Sequence, residues 1–330
     1  MKKKCSNVGV VGQANQRSGA KWSIKDAKPA RACGKEKNAA AGDSLTLRFL
    51  YRTVPGRMLL KLLVQPKVSE AAGRYLSSRA SKWLVPYYIN KHNISLKGVE
   101  IPSGGFTSFN DFFTRRRTTP PPKRTKEKLL SPCDGFLSVA KIQENTVLMI
   151  KATRFSVEDL LGDECLAKQF RDGMALIFRL TPADYHRYCY AAGGEILLEK
   201  KINGKLHCVR PIALREVPVF AQNSREYQVI QTENFGMIVQ MEIGALLVGK
   251  IRNRERTPKL NAVQSGMEKG YFEFGGSTIV LLLQKDAARL CGKWEERRNA
   301  NGESKVRIGE CVAKQILQEE SDRITGPDVL

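Results

Sequence analysis

The pattern of apolar and polar positions divides the chain into a helical part and a β-rich part. Between residues 44 and 92, apolar side chains recur at helical spacing, first at Leu45–Leu50 and again at Met58–Leu63, with a break at Pro55-Gly56. After residue 128 the apolar residues form short runs separated by turn residues, which is typical of strands. The pattern predicts an α+β fold, with a helical N-terminal region followed by a β-rich domain.

The apolar runs of the second part predict individual strands. They are Phe136–Ile142, Met174–Leu180, Met237–Ile243 with Ala245–Val248, and Tyr271–Leu283. Asn203-Gly204 and Asn301-Gly302 are hairpin signals, and Gly162 is expected to end a short helix at Val157–Leu161.

Polar stretches set the predicted domain boundaries. Residues 1–42 are basic, polar and without apolar periodicity, so we predict a disordered tail; a transit peptide is the alternative, although arginine is scarce. An irregular basic stretch around 103–128 contains the proline run Pro120–Pro122, which indicates a connecting segment. We predict a helical, membrane-docking region over 43–117 and a β-rich catalytic domain over 118–330.

The chain is strongly basic. Its 330 residues hold 55 Lys and Arg against 33 Asp and Glu, a formal net charge of +22. Such an excess attracts nucleic acid, anionic membrane lipid or acidic substrates, and charge alone does not choose among them. Arg57 and Lys61 lie among the predicted helices, which therefore either rest on an anionic lipid surface or pack on the rest of the chain. No apolar run approaches the roughly 18 residues of a membrane-spanning helix.

The cysteines and histidines form no metal-binding pattern. The eight cysteines include no C-x-x-C pair and the three histidines are scattered, so we expect no metal site. The residues after Met1–Lys4 are too polar for a secretory signal. Reduced thiols in the cytoplasm are the resulting expectation.

Four segments place glycine, charged residues or histidine beside apolar runs. They are Ser131–Gly135, Arg179–Arg187, Met241–Gly249 and Phe274–Thr278. In the last segment Ser277 follows two glycines, whose backbone freedom can bring its hydroxyl close to the carbonyl of Gly276. Attack there would give an ester, and elimination and hydrolysis would then leave a pyruvoyl group and ammonia. Taken alone, these residues favour the simpler alternative, a tight turn before a buried strand.

Asp134 and His186 supply other groups that could activate a serine hydroxyl. Asp134 is expected on a turn, where an aspartate commonly bonds to the nearby backbone. His186 follows an apolar strand and could equally be a structural histidine. A base, a carboxylate and a hydroxyl are what nucleophilic catalysis needs, but their presence alone leaves both interpretations open.

Together, and in this order, the four segments resemble the phosphatidylserine decarboxylase family of pyruvoyl enzymes. The family pattern has S-P-x-D-G, then D-Y-H-R, then V-G-A, then G-S-T before an apolar strand. Further similar segments are Ser108–Phe113, Leu206-His207 with Pro211-Ile212, Asn223–Glu226 and Lys269–Phe272. The resemblance covers about residues 44–311, and residues 1–42 have no counterpart.

The resemblance implies a self-processing enzyme that converts phosphatidylserine to phosphatidylethanolamine and carbon dioxide. It assigns Ser277 as the residue converted to a covalent pyruvoyl group, with cleavage between Gly276 and Ser277, and His186 and Asp134 as catalytic residues of self-cleavage. The substrate amine would form an imine with the pyruvoyl ketone, which acts as the electron sink.

The resemblance also implies partners and a location. The substrate would be phosphatidylserine in an anionic membrane, reached by a peripheral membrane protein at the cytoplasmic face. The large chain ending at Gly276 and the small chain beginning at Ser277 are expected to stay associated, and a homo-oligomer is left open. No nucleic acid partner is expected.

One position departs from the family pattern and several alternatives stay open. Many members read D-Y-H-R-x-H, and Cys189 stands here in place of the second histidine; packing is its preferred role and proton donation the alternative. The chain could instead decarboxylate another amine-bearing lipid or an amino acid, or be a Cys–His hydrolase using Cys133 or Cys189. A basic nucleic-acid-binding protein would explain the charge, although Arg115–Lys128 contains no aromatic residue.

Overall fold

The computed structural model describes the chain between residues 45 and 316, except for 119–125, 144, 151–152, 208–218, 246–249, 256–260, 275–276, 293–297 and 300–301. The helices and strands that it describes fall within one unit formed by residues 43–315. The predicted tail over 1–42 lies outside the described residues, so its disorder stays a prediction. The predicted boundary between 117 and 118 stays a prediction as well.

Among the described residues, helices dominate the N-terminal region and short helices recur between the strands. The helices are α1 (Leu45–Arg52), α2 (Val54–Leu63), α3 (Pro66–Ser77), α4 (Leu84–His92), α5 (Phe109–Phe113), α6 (Val157–Leu161), α7 (Glu164–Lys168) and α8 (Val219–Gln222), with a 3₁₀ turn at Arg79–Ser81. None of the helices in the described part of the chain is long and apolar enough to cross a lipid bilayer.

The break between α1 and α2 falls at Thr53, just before the predicted Pro55-Gly56 break. The Thr53 hydroxyl accepts a hydrogen bond from the Gly56 amide (3.1 Å) and caps α2, while Pro55 occupies the first turn, where an amide hydrogen has no helical partner. A Cβ on Gly56 would lie 2.0 Å from the carbonyl oxygen of Phe49. The glycine therefore lets α1 and α2 approach closely.

The strands fill the chain from residue 128 onward. They are β1 (Lys128–Leu130), β2 (Gly135–Lys141), β3 (Val147–Ile150), β4 (Thr153–Ser156), β5 (Met174–Leu180), β6 (Arg187–Cys189), β7 (Gly194–Ile202), β8 (Arg225–Thr232), β9 (Met237–Ile243), β10 (Ile251–Asn253), β11 (Ala262–Val263), β12 (Glu268–Phe272), β13 (Ser277–Leu283), β14 (Arg289–Leu290), β15 (Ser304–Val306) and β16 (Cys311–Lys314).

An eight-stranded antiparallel sheet organises this domain, in the order β11-β7-β8-β9-β13-β5-β2-β15. β13 lies between β9 and β5, and every residue of β13 is buried. Smaller sheets have the orders β10-β12-β6, β1-β16-β14 and β3-β4. The long apolar run of β13 thus forms a central strand of the main sheet.

Both faces of the main sheet are covered by apolar side chains. On one face, Tyr188 of β6 and Phe272 of β12 join the cluster that holds Ile279 of β13. On the other face, Leu60 of α2 joins the cluster that holds Val280. Burial on two sides explains why β13 reads as an unbroken apolar run rather than as an alternating one.

The α+β prediction is confirmed, and so are several of its elements. β5 and β9 coincide residue for residue with the predicted strands, and β2 begins one residue before its predicted start. α6 also coincides with its prediction and ends at Gly162, which adopts the left-handed conformation (φ 57°). The predicted strand Ala245–Val248 falls largely outside the described residues.

The prediction of one strand over Tyr271–Leu283 is wrong, whereas the buried strand expected after Gly275-Gly276 is present as β13. β12 ends at Phe272, and β13 begins at Ser277 in a different sheet. Between them the Phe274 amide donates a hydrogen bond to Asn110 Oδ1 (3.1 Å), and its ring packs on that of Phe113. These contacts with α5 draw the chain out of the strand direction.

Asn203-Gly204 is not the turn of a tight hairpin. β7 and β8 pair from Ile202 and Arg225 onward, but residues 203–224 connect them and include α8. The Gly204 amide instead donates to Ser224 Oγ (2.9 Å). The second signal, Asn301-Gly302, lies partly outside the described residues, and the Gly302 amide donates to Asn299 O (2.9 Å), as in a tight turn.

Cys165 departs from the expectation of reduced thiols. It is disulfide-bonded, whereas Cys133, Cys189, Cys291 and Cys311 are free. The expectation of reduced thiols is therefore wrong at this position.

Candidate active site

Three adjacent strands of the main sheet bring Ser277 and Asp134 to neighbouring strand ends, and His186 lies on the loop that follows the middle strand. Ser277 begins β13 and pairs with Leu180, the last residue of β5. On the other side of β5, Phe136 pairs with Arg179, so Asp134 immediately precedes the start of β2 at the same edge. His186 follows β5 by six residues. The antiparallel registers thus bring Ser277 and Asp134, which are 143 positions apart in sequence, to neighbouring strand ends.

Ser277 is a buried serine with an unused hydroxyl. It is 1% exposed, and within the described part of the chain its Oγ has no hydrogen-bond partner. The preceding residues, Gly275 and Gly276, lie outside the described residues. Burying a hydroxyl without a partner costs free energy, so such a group is a candidate for a chemical role.

His186 is fully buried and held in one orientation. Its Nδ1 lies 2.8 Å from the carbonyl oxygen of Asp184, and its ring packs on that of Phe113 at 4.0 Å between centroids. Because a carbonyl only accepts hydrogen bonds, this contact requires the proton on Nδ1. In the neutral ring the basic lone pair is then on Nε2.

Asp184 fixes the loop that orients His186, and sequence reasoning did not single it out. Its carboxylate accepts hydrogen bonds from the Thr181 amide and hydroxyl (2.7 Å each) and pairs with Lys305. Burial alone would raise the pKa of Asp184, but the bonds from Lys305 and Thr181 outweigh burial and lower it. The T-x-x-D spacing, typical of a side chain bonding back to its own loop, was the available signal.

Asp134 is buried, and each of its two carboxylate oxygens accepts a hydrogen bond. Its Oδ2 accepts from Arg117 (2.5 Å), whose guanidinium stacks on Tyr185, and its Oδ1 accepts from the Ile308 amide (2.9 Å). The next residue is glycine for a steric reason, since a Cβ on Gly135 would lie 2.7 Å from Arg179 O. The acceptor for His186 Nδ1 is a backbone carbonyl, and the role of Asp134 in self-cleavage stays a prediction.

A C-terminal segment supplies three of the contacts at this edge. Besides Lys305 and Ile308, Glu303 binds Arg179 through two hydrogen bonds (3.1 and 2.7 Å), and its carboxylate is 2% exposed. Sequence reasoning missed these residues because no local pattern links them to partners more than 100 positions earlier. We refer to residues 302–311 as the C-terminal clasp.

A second buried polar cluster lies on the same sheet face as Ser277. Glu242 and Lys269 form an ion pair with contacts of 2.8 and 2.6 Å, and both side chains are at most 1% exposed. Ile279, two residues after Ser277 and on its side of β13, pairs directly with Glu242. Burial raises the pKa of Glu242 and lowers that of Lys269, and their contact opposes both shifts.

The Gln240 side chain extends this cluster and ties two sheets together. Gln240 belongs to β9, and its amide nitrogen donates to the carbonyl of Cys189 (3.0 Å) and to Glu242 (3.3 Å). Its amide oxygen accepts from the Ala191 amide (3.1 Å). The small sheet that follows His186 is thereby fastened to the sheet that carries Ser277.

The buried thiols are poor nucleophiles. Burial raises the pKa of Cys133 well above its ordinary value and that of Cys189 to about 12. Since the thiolate is the nucleophile, both cysteines stay protonated near neutral pH. This disfavours a Cys–His hydrolase and favours a packing role for Cys189.

Helix α2 carries apolar side chains on its solvent-exposed side as well as on its buried side. Leu60 and Gly56 are buried, whereas Val54, Met58 and Leu62, spaced four residues apart on another side of the helix, are each about two-thirds exposed. We call these three residues the outer stripe. Exposed basic residues accompany it on α1, α2 and α3: Arg48, Arg52, Arg57, Lys61 and Lys67.

Comparisons with known proteins agree on one family. A family model described as phosphatidylserine decarboxylase matches residues 109–314. Phosphatidylserine decarboxylase proenzyme 2 of Clostridium acetobutylicum is 40% identical over 271 residues, which are 81% of this chain and 91% of that protein. Phosphatidylserine decarboxylase proenzymes of Ruminiclostridium cellulolyticum and Clostridium tetani are each 36% identical, over 82% and 84% of this chain and 91% and 93% of theirs.

Proposed function

The chain belongs to the phosphatidylserine decarboxylase family, and we propose that it converts phosphatidylserine into phosphatidylethanolamine and carbon dioxide. The observation that carries this proposal is the buried, unbonded hydroxyl of Ser277 at the strand edge shared with Asp134 and His186. Its relatives are named proenzymes, which supports self-processing of this chain as well.

We further propose that Ser277 becomes a covalent pyruvoyl group. The position fits this group, since the hydroxyl is buried, has no hydrogen-bond partner among the described residues, and follows two glycines in sequence. Such a group supplies a ketone electrophile and an electron sink for decarboxylation. β13 holds this position by its pairing with β5 and β9.

Self-cleavage is proposed to begin at His186. With the Nδ1 proton donated to Asp184 O, the lone pair on Nε2 can accept the proton of Ser277 Oγ as that oxygen attacks the carbonyl carbon of Gly276. The peptide C–N bond breaks and His186 returns the proton to the nitrogen, so that an ester replaces the amide. Elimination then removes the α-hydrogen of residue 277 as a proton and breaks its Cβ–Oγ bond, which leaves the serine oxygen on the new carboxylate of Gly276. Water adds to the resulting dehydroalanine and releases ammonia.

Asp134 and Asp184 are proposed to support the charge that forms on His186. Asp184 is held ionised by Lys305 and Thr181, and its carbonyl keeps the imidazole in one tautomer. Asp134 supplies a second fixed carboxylate at the same edge, anchored by the Ile308 amide. Nearby carboxylates favour the imidazolium that each proton transfer creates, and Lys305 and Arg117 offset part of this negative charge.

The two products of cleavage are proposed to stay associated. β13 would belong to the small chain, while its neighbours β5 and β9 would belong to the large one. Every residue of β13 is buried between them. Separating the chains would expose the centre of both apolar clusters, which is a large free-energy cost.

The membrane surface is the proposed place of action, reached from the cytoplasmic face. The outer stripe offers apolar side chains to lipid, and the neighbouring basic residues offer charge to anionic headgroups, each contributing about 1 kcal/mol near such a surface. A substrate that resides in the membrane gives these exposed groups a purpose.

The test is the intact mass of the purified protein under denaturing conditions. Cleavage after Gly276 divides the 36.9 kDa chain in the ratio of 276 to 54 residues, into pieces of about 30.9 and 6.0 kDa. The small piece should lack a free amino terminus and should be reducible by borohydride in the presence of an amine. Ser277→Ala should stay at full length and be inactive, while Thr278→Ala, the neighbouring hydroxyl, should still be cleaved.

Two outcomes would contradict parts of this proposal. An active wild-type protein that consists only of the intact 36.9 kDa chain would rule out the pyruvoyl mechanism. Turnover of free serine that equals turnover of phosphatidylserine in vesicles would instead favour the alternative substrate class, an amino acid.

A further inference from the structure

Two cysteine thiols lie in contact outside the site described above. Cys291 directly follows β14 and Cys311 begins β16, and their Sγ atoms are 3.1 Å apart. β14 and β16 are hydrogen-bonded neighbours. Both side chains are partly exposed, whereas Cys133 and Cys189 are fully buried. Cys291 and Cys311 are therefore the pair within reach of a small reagent among the free cysteines that the structure describes.

The chain between these cysteines supplies the C-terminal contacts of the candidate active site. It includes the C-terminal clasp, whose Glu303, Lys305 and Ile308 each bond to a residue at the strand ends. The clasp also adds β15 to the outer edge of the main sheet, beside β2. A covalent bond between Cys291 and Cys311 would close this segment into a loop at its base.

We propose that Cys291 and Cys311 form a thiol–disulfide pair whose oxidation fixes the C-terminal clasp on the active site. The sulfur atoms need to approach by about 1 Å to reach bonding distance. Closing the loop restricts the unfolded chain and so favours the folded arrangement of the clasp. The reduced pair leaves the clasp held by its hydrogen bonds and ion pairs alone.

The oxidant for this step is a small disulfide, such as oxidised glutathione. The thiolate of one cysteine attacks a sulfur of the small disulfide and expels one glutathione thiolate, which leaves a mixed disulfide on the protein. The second cysteine then displaces the other glutathione. The two protein thiols lose two electrons and two protons, and one disulfide is reduced to two thiols.

Exchange is expected to begin at Cys291. Burial, together with the contact from Cys291, raises the pKa of Cys311 to about 12, so the Cys311 thiolate is scarce near neutral pH. Cys311 also lies 3.4 Å from the Ala313 carbonyl, which can accept its thiol hydrogen. The mixed disulfide should therefore form on Cys291 and be resolved by Cys311.

The test uses the full chain incubated with oxidised glutathione and then alkylated under denaturing conditions. The sequence after Gly276 contains no cysteine besides these two, so the 6.0 kDa piece, or the matching peptides of an uncleaved chain, reports on them alone. We expect a product about 2 Da lighter than the reduced form that takes up no alkylating reagent. Cys311→Ser should instead trap glutathione on Cys291.

Two further readouts test the effect on the clasp. Oxidation should slow hydrogen exchange of the Ile308 amide by roughly tenfold and raise the melting temperature by roughly 5 °C. The double variant Cys291→Ser/Cys311→Ser is the matched control and should respond to the oxidant in neither measurement.

Alkylation of both cysteines after oxidation, or a separate glutathione on each, would overturn the proposed pair. An internal disulfide that leaves the exchange of the Ile308 amide unchanged would overturn its action on the clasp. Because the peptides report equally on cleaved and uncleaved chains, an absence of self-cleavage would contradict the proposed function without touching this proposal.

Discussion

At the strand ends of the main sheet and on the outer stripe of α2, residues depart from the usual rule that apolar side chains are buried and polar side chains are exposed. The two regions depart from this rule in opposite ways. At the strand edge, polar groups such as Ser277 and His186 are buried, where polar groups are costly. On α2, Met58 and Leu62 are exposed, where apolar groups lose the benefit of burial. Each region keeps an arrangement that stability alone would disfavour.

The difference between the two regions matches the two roles proposed for them, catalysis and membrane contact. A buried polar group gains strength from its dry surroundings, which suits proton transfer and charge stabilisation. An exposed apolar stripe flanked by cations suits contact with a surface that is both apolar and anionic. Chemistry and membrane contact should therefore be separable by mutation, and the following predictions test this separation.

The largest effect is expected at His186. His186→Ala removes the proposed base, so self-cleavage should slow by roughly 10²- to 10⁴-fold, measured as the appearance of the small chain over time by mass spectrometry. His207→Ala is the matched control, because His207 is also a buried histidine but lies near Tyr51 of α1. It should be cleaved at close to the wild-type rate. Complete processing of His186→Ala would overturn the assignment.

The next effect concerns the buried ion pair beside the site. Glu242→Gln or Lys269→Met leaves one buried charge without its partner, and either should lower the free energy of unfolding by roughly 3–5 kcal/mol in urea titrations. The double variant Glu242→Leu/Lys269→Met removes both charges and should regain most of the loss. Single variants as stable as the wild type would show that the pair contributes little.

A smaller effect is expected on α2. Met58→Ala/Leu62→Ala should weaken binding to phosphatidylserine vesicles by about 2 kcal/mol, or roughly 30-fold, in a sedimentation assay. Self-cleavage should be unchanged, since the outer stripe faces away from the core. Leu197→Ala/Leu198→Ala, which alters two exposed leucines of β7, is the control and should bind normally. Equal loss in both variants would remove the special role of α2.

The smallest effect is a pH dependence at Asp184. Its pKa is lowered in the folded state, so it stabilises the fold above its ordinary pKa of about 4, and this contribution is lost as pH falls through the lowered value. Lys305→Met should raise the pKa of Asp184 toward its ordinary value, so that acid unfolding begins at a higher pH. Because Lys305 is half exposed, the loss at neutral pH should stay under about 1 kcal/mol.

Urea titrations between pH 2 and 7 measure this shift. Lys201→Met, which removes the ion pair between Lys201 and Glu226, is the control. Its stability should fall over the same acidic pH range as that of the wild type. If Lys305→Met lost stability over the same acidic pH range as the wild type, Lys305 would not be what holds Asp184 ionised.

The local pattern of apolar and polar residues predicted much of the secondary structure but few of the long-range contacts. β5 and β9 were predictable residue for residue because each is a mostly apolar run of seven residues, although β5 includes Arg179 and β9 includes Gln240 and Glu242. The division of Tyr271–Leu283 into two strands was indicated by Gly275-Gly276, but the contact that accompanies it was not predictable, because Asn110 lies more than 160 positions before the Phe274 amide that it binds. The hydropathy of residues 271–283 does not indicate a contact with a residue so distant in sequence.

The candidate site shows the same limit. Asp134, His186 and Ser277 were identified through the family resemblance, and the sheet register brings Asp134 and Ser277 to neighbouring strand ends. Asp184 and Lys305 were not identified, because a charged residue looks the same in sequence whether it faces water or a buried partner 121 positions away. Only the folded chain distinguishes those two cases.

The central position of β13 has a consequence for when the reactive group can arise. Ser277 pairs with the last residue of β5, and this end of the sheet is complete only after β9, β2 and the C-terminal clasp have assembled beside β5 and β13. On the proposed mechanism, a misfolded or truncated precursor would keep an ordinary peptide bond and an ordinary serine. Folding would thus act as a checkpoint, so that no ketone is released into the cell on a chain unable to use it.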